Sequence, residues 1–134
     1  MIIDGKEMAF EMEGRTFHCA LDVSMSFIGG KWKSVLLWYL RAEPKRFSEL
    51  NRLVPGITEK MLSLQLKELE ADGIIRREVF AEVPPRVEYS FTEFGRTMIP
   101  MLEAIANWGR QLAQRRGKMV EAPDQNKGKL EKTK

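Results

Sequence analysis

The chain is poor in the residues that build covalent or metal-bound frameworks, with one cysteine and one histidine in 134 residues. A lone cysteine excludes an intrachain disulfide scaffold, and this pair leaves no metal cage that the chain could supply by itself. Neither a metal nor a cofactor is expected. Long apolar runs are missing as well: the longest, Val35 to Leu40, is far short of the ~20 residues that a membrane span needs. Asp4, Lys6 and Glu7 stand where a signal peptide would be apolar, so a soluble, cytoplasmic protein without membrane contact is expected. There is no Ser-His-Asp set, no pair of carboxylates in an apolar setting and no phosphate-binding glycine loop, which argues against catalysis.

Charge of one sign is also scarce overall, the net being +3. Its distribution is uneven. Residues 1–30 carry two basic and five acidic groups, whereas residues 31–134 carry twenty basic and fourteen acidic ones. A positive body with an acidic arm suits a partner such as nucleic acid, and a symmetric dimer would double that positive field.

What is present is an ordered series of local signals between Arg46 and Phe91. Phe47, Leu50, Leu53 and Val54 form a short apolar helical face that Pro55 and Gly56 stop. A second helix is expected from Thr58, whose hydroxyl can cap it, through Met61, Leu62, Leu66 and Leu69 to Asp72 and Gly73. The period then falls to two over Ile75, Arg77 and Val79, and again over Val87, Tyr89 and Phe91, giving two strands of one hairpin. Pro84 and Pro85 belong at its tip, in a loop from Ala81 to Arg86, because neither can donate to a ladder. Helix, turn, helix, strand, loop, strand is the order of a winged helix-turn-helix. The fold class expected is mainly α with a small β-hairpin, a winged helix-turn-helix that dimerises through N- and C-terminal helices.

Flanking segments fill in the plan. Trp32, Val35, Leu36, Tyr39 and Leu40 recur at helical spacing, so Gly30 to Arg41 reads as a helix, and Leu37 and Trp38 make its other side apolar too. Met98, Met101, Ile105, Trp108 and Leu112 are spaced like a helical packing seam, which predicts a C-terminal helix from about Thr92 to Arg116 with a kink or break at Pro100. This seam, with Trp32 and Trp38, is the candidate dimer interface; covering the monomer's own core is the alternative reading. Met8, Phe10 and Met12, then a turn at Glu13-Gly14, then Arg15, Phe17 and Cys19, suggest a hairpin in an N-terminal arm. The division is an arm at 1–18, the main domain at 19–116 and a disordered basic tail at 117–134.

Several of these stretches together resemble the HxlR-type winged helix regulators. Nine residues after Cys19 stands Ile28-Gly29-Gly30-Lys31-Trp32, followed by Arg46-Phe47-Ser48-Glu49-Leu50 and Pro55-Gly56-Ile57. Lys67-Glu68-Leu69-Glu70-Ala71-Asp72-Gly73, Val83-Pro84-Pro85-Arg86-Val87-Glu88-Tyr89 and Thr92-Glu93-Phe94-Gly95-Arg96 complete the match. It departs at Ala20, where the family usually has proline. The resemblance implies a homodimeric transcription regulator that binds an operator. In several members of that family the cysteine matching Cys19 senses oxidants or electrophiles.

The outward side of the second helix displays Lys60, Ser63, Leu64 and Lys67, the set a major groove would meet. Thr58 lies where a helix N-terminus favours phosphate. Arg86 at the wing tip, and Lys45 and Arg46 ahead of the first helix, are further candidate DNA contacts. For Cys19 a redox role competes with a buried structural one; Arg15, His18 or Lys31 would supply the positive charge that thiolate chemistry needs. The expected partners are double-stranded DNA and a second copy of the chain. Two other readings stay open: a small-molecule effector entering a dimer cavity beneath Trp32, Trp38 and Trp108, and a winged-helix protein-interaction module that binds no operator.

Overall fold

The central helices begin where short-range capping dictates. In the computed structural model, which describes residues 2–122, Thr58 Oγ1 accepts the Met61 amide at 3.0 Å and opens α4 (Glu59–Ala71). The Arg46 amide donates to Glu49 Oε1 at 2.9 Å and opens α3 (Phe47–Leu53). Each contact satisfies a backbone donor that the first helical turn leaves unpaired. α4 ends in a Schellman arrangement: Gly73, at φ 75°, donates to Glu70 and Ile74 donates to Leu69. That reversal feeds the chain directly into the wing.

The wing is β5 (Ile75–Phe80) paired antiparallel with β6 (Arg86–Phe91), running from Ile75 opposite Phe91 to Phe80 opposite Arg86. Arg86 is thus the first residue of β6, not part of the tip loop, which is Ala81–Pro85. On the other side of β6, Lys45 exchanges both backbone hydrogen bonds with Tyr89, at 3.0 and 2.8 Å. This one-residue bridge ties the entry of α3 to the sheet.

The core lies between these elements. Leu36, Leu37 and Leu40 of α2 (Lys33–Leu40), Leu50 of α3, Leu62, Leu66 and Leu69 of α4, and Ile75 and Phe91 of the wing are all buried. α2 is shorter than the expected Gly30 to Arg41. Trp32 is its N-cap, and Gly30, at φ 92°, keeps the preceding turn out of the helix.

The N-terminal arm forms the expected hairpin, β3 (Phe10–Met12) with β4 (Arg15–Phe17), and Phe17 is buried. A second hairpin, β1 (Ile2–Ile3) with β2 (Lys6–Glu7), was not legible, since two residues per strand cannot show alternation. Cys19 does not continue β4 as its alternation suggested. It is the N-cap of an unanticipated helix, α1 (Ala20–Ile28). Ala20 therefore stands at the first helical position, where proline's fixed φ is also accepted.

At the other end, a 3₁₀ turn (Gly95–Met98) precedes α5 (Ile99–Arg116), so the break falls just ahead of Pro100. Pro100 is tolerated there because the first helical turn needs no amide donor. The expected seam splits in two. Met98 and Met101, like Trp32 and Trp38, pack on the chain's own core, whereas Ile105 and Trp108 stay 52% and 63% exposed, with Leu112 half-buried. Residues 117–122 run on exposed beyond α5; the rest of the expected basic tail lies outside the described residues. No described helix is long and apolar enough to cross a membrane.

Candidate nucleic-acid interface

α4 is held from behind and open in front. Its apolar face is sunk in the core, and Glu68 on its flank meets Lys33 of α2 at 2.6 Å, fixing the helix's rotation. Outward, Lys60 and Lys67 are exposed, Ser63 is half-buried and Leu64 is 47% exposed. Neither lysine makes an ion pair among the described residues, so both charges remain available to an external anion. Thr58 is exposed at the helix start, with its hydroxyl oxygen already accepting the Met61 amide.

Strand register places one more cation beside this face. Arg77 sits opposite Tyr89, on the same side of the wing as the buried pair Ile75 and Phe91. One step beyond the core, that side overhangs α4. Arg77, Tyr89, Ser63, Lys67, Glu70 and Phe47 line a polar recess of about 390 Å³ there. Arg77 has no ion pair among the described residues. Sequence reasoning passed over it as an alternating strand residue; the signal was its position two residues after the core residue Ile75, on the face that meets α4.

Two expected contacts are otherwise engaged. Arg86 lies between Glu82 and Glu88, 3.3 Å from each, with its guanidinium 4.0 Å from the Phe80 ring centre. Its side chain is 29% exposed and its charge is answered within the wing. Lys45 is buried, its Nζ 3.0 Å from Glu43 Oε1, so it stabilises the sheet bridge rather than reaching outward. Arg46 remains exposed, as does Arg52 on α3.

Around Cys19 the expected cations are also occupied. Arg15 stacks on Phe17 at 4.8 Å, Lys31 on Trp32 at 4.6 Å, and His18 faces Asp22 at 3.7 Å. Cys19 itself is half-buried and free, and its side chain makes no capping hydrogen bond. Trp38 borders a groove of about 180 Å³ with Tyr39, Leu102 and Ile105, and neither Trp32 nor Trp108 lines it. No cluster of His, Cys, Asp and Glu suited to a metal ion occurs among the described residues.

An outward basic helix braced by a wing is the geometry of a helix-turn-helix regulator, and the family model described as HxlR-like helix-turn-helix matches residues 27–117. The chain belongs to that family. The HxlR-like chain is 49% identical over 104 residues to the uncharacterised HTH-type transcriptional regulator YdeP of Bacillus subtilis, covering 78% of this chain and 81% of YdeP. Among solved structures it is similar to the redox regulator HypR in its reduced form, at 49% identity and a TM-score of 0.67, over 69% of this chain and 92% of that one. The oxidised form of HypR gives 47% identity and a TM-score of 0.68, over 76% and 100%. The winged helix-turn-helix fold and the place of this HxlR-like chain among transcriptional regulators are therefore shown.

Proposed function

We propose that this HxlR-like regulator binds double-stranded operator DNA as a cytoplasmic homodimer, with α4 of each subunit in a major groove. The observation that carries this reading is the outward face of α4, where unpaired Lys60 and Lys67 flank Ser63 and a half-exposed Leu64. Lysines bind phosphates or guanine edges, and a leucine in that setting covers a thymine methyl. Arg77, Arg46 and Arg52 extend the positive surface toward the flanking backbone. Two such helices about one helical turn apart, ~34 Å, read a pseudo-palindromic site. The uncovered Ile105 and Trp108 on α5 supply the surface for the second subunit.

The test is binding to the DNA upstream of the chain's own coding region across a salt series. Lys60→Ala and Lys67→Ala should each weaken binding and flatten its salt dependence. Affinity unchanged by both, or nucleic-acid binding that salt barely affects, removes the assignment and favours a protein-interaction module.

A second, compatible reading concerns control. Cys19 is free and partly accessible, and the similar HypR is solved in reduced and oxidised forms. As the chain has one cysteine, oxidation of Cys19 joins two subunits or captures a small thiol. Two thiols become one disulfide, and two electrons and two protons pass to the oxidant. Oxidant treatment that abolishes DNA binding in the wild type but not in Cys19→Ser supports this; equal binding in all four states places the signal elsewhere.

A further inference from the structure

A separate cavity is lined by no tryptophan and by none of the outward residues of α4. It has a volume of about 500 Å³ and is bounded by the β3–β4 turn, α1, the end of α4, and the 3₁₀ turn with the start of α5. Phe27, Met12, Met98 and Met101 give it an apolar lining, and flexible methionines adapt to irregular guests. Its volume falls within the range of sites that enclose small organic ligands.

The polar part of the lining has one character. Two carboxylates, Glu13 and Asp72, stand on it, and no basic side chain does. Neither carboxylate makes an ion pair among the described residues. The two hydroxyls present are spent as donors: Ser24 Oγ donates to the Ala20 carbonyl at 3.4 Å and Thr97 Oγ1 to the Phe94 carbonyl at 2.6 Å. Side chains therefore offer a guest apolar surface, negative charge and lone pairs, and no donor for an anion.

We propose that this cavity binds an amphipathic organic cation, with its apolar body against Phe27 and the methionines and its charge between Glu13 and Asp72. The site is built into the end of the recognition helix. Asp72 is the C-cap of α4, and Ile74, also in the lining, is clamped to the 3₁₀ segment through Thr92. Thr92 Oγ1 donates to the Gly73 carbonyl at 2.6 Å, and the Gly95 amide donates to Thr92 Oγ1 at 2.9 Å. A guest that spreads α1 from this wall bears on the seating of α4. That consequence rests on the DNA-binding reading; the binding itself does not.

The experiment uses the full chain with methyl-labelled methionine and two probes of the same shape and opposite charge, tetraphenylphosphonium and tetraphenylborate, followed by NMR without DNA. The phosphonium should shift the methyls of Met12, Met98 and Met101 and leave Met61 in place, and the borate should bind at least ~tenfold more weakly. Glu13→Gln combined with Asp72→Asn should weaken the phosphonium by about fivefold without improving the methionine contacts of either probe. Equal binding of the two probes overturns the proposal, as do shifts centred on Met61. Absence of any shift also overturns it. DNA binding by the same sample remains a separate measurement, so failure here leaves the regulator reading standing.

Discussion

At the scale of single residues, accessible charge counts and total charge does not. The wing carries Arg76, Arg77 and Arg86, but Arg86 is held by Glu82 and Glu88, and Arg76 reaches Ser90 at 3.2 Å with Glu78 at 3.8 Å. Arg77 alone of these three has no such partner among the described residues. Arg77→Ala should therefore weaken DNA binding at every sequence tested and lower the steepness of the salt dependence by about one. Arg86→Met should leave that slope unchanged and instead loosen the wing, since it leaves Glu82 and Glu88 without their shared cation. Titrating both variants across salt decides between base and tip of the wing: a slope change confined to Arg86→Met reverses the assignment. The sequence could not separate these arginines, because which carboxylate folds back on which cation depends on strand register. The same holds for Lys45, whose burial follows from a bridge to Tyr89 far along the chain.

At the scale of elements, the recognition unit was legible where its signals are local. Pro55, Thr58 and Gly73 punctuate α3 and α4, and a switch from helical to alternating spacing marks the wing. α1 lacked such marks: its N-cap is cysteine with no side-chain hydrogen bond, Ser24 and Ser26 bond back to the helix's own carbonyls, and Ile28 is its one fully buried residue. Ile28 and Phe27 join the central core, a long-range packing that spacing does not report. The junction of the wing with α5 depends on close approach. A Cβ on Gly95 would collide with the Ile74 carbonyl and crowd the Phe91 ring. Because backbone cannot move aside as a flexible side chain can, Gly95→Ala should cost about 2–3 kcal/mol in urea unfolding. A loss near zero would mean that the 3₁₀ turn slides freely. Thr58→Ala tests a different point on the same unit. It removes the acceptor for the Met61 amide and should cost about 1 kcal/mol.

At the scale of the whole molecule, the distribution of uncovered apolar surface separates folding from assembly. Leu102 is buried and Met98 and Met101 pack against the subunit's own core, so substitutions there should destabilise the isolated subunit itself. Ile105 and Trp108 lie one to two turns further along α5, mostly exposed, and contribute little to the isolated subunit. Replacing Trp108 with Asp should therefore preserve the unfolding transition of the subunit while converting a dimer to a monomer in analytical ultracentrifugation. DNA binding should then fall by about a hundredfold or more, because two tethered recognition helices act at an effective local concentration that a lone helix lacks. The loss should be largest on a two-half-site operator and nearly absent on a single half-site. If Trp108→Asp remains dimeric with unchanged operator affinity, the second subunit meets another face of the molecule. If it becomes monomeric yet binds both DNAs equally well, α4 reads its site one subunit at a time.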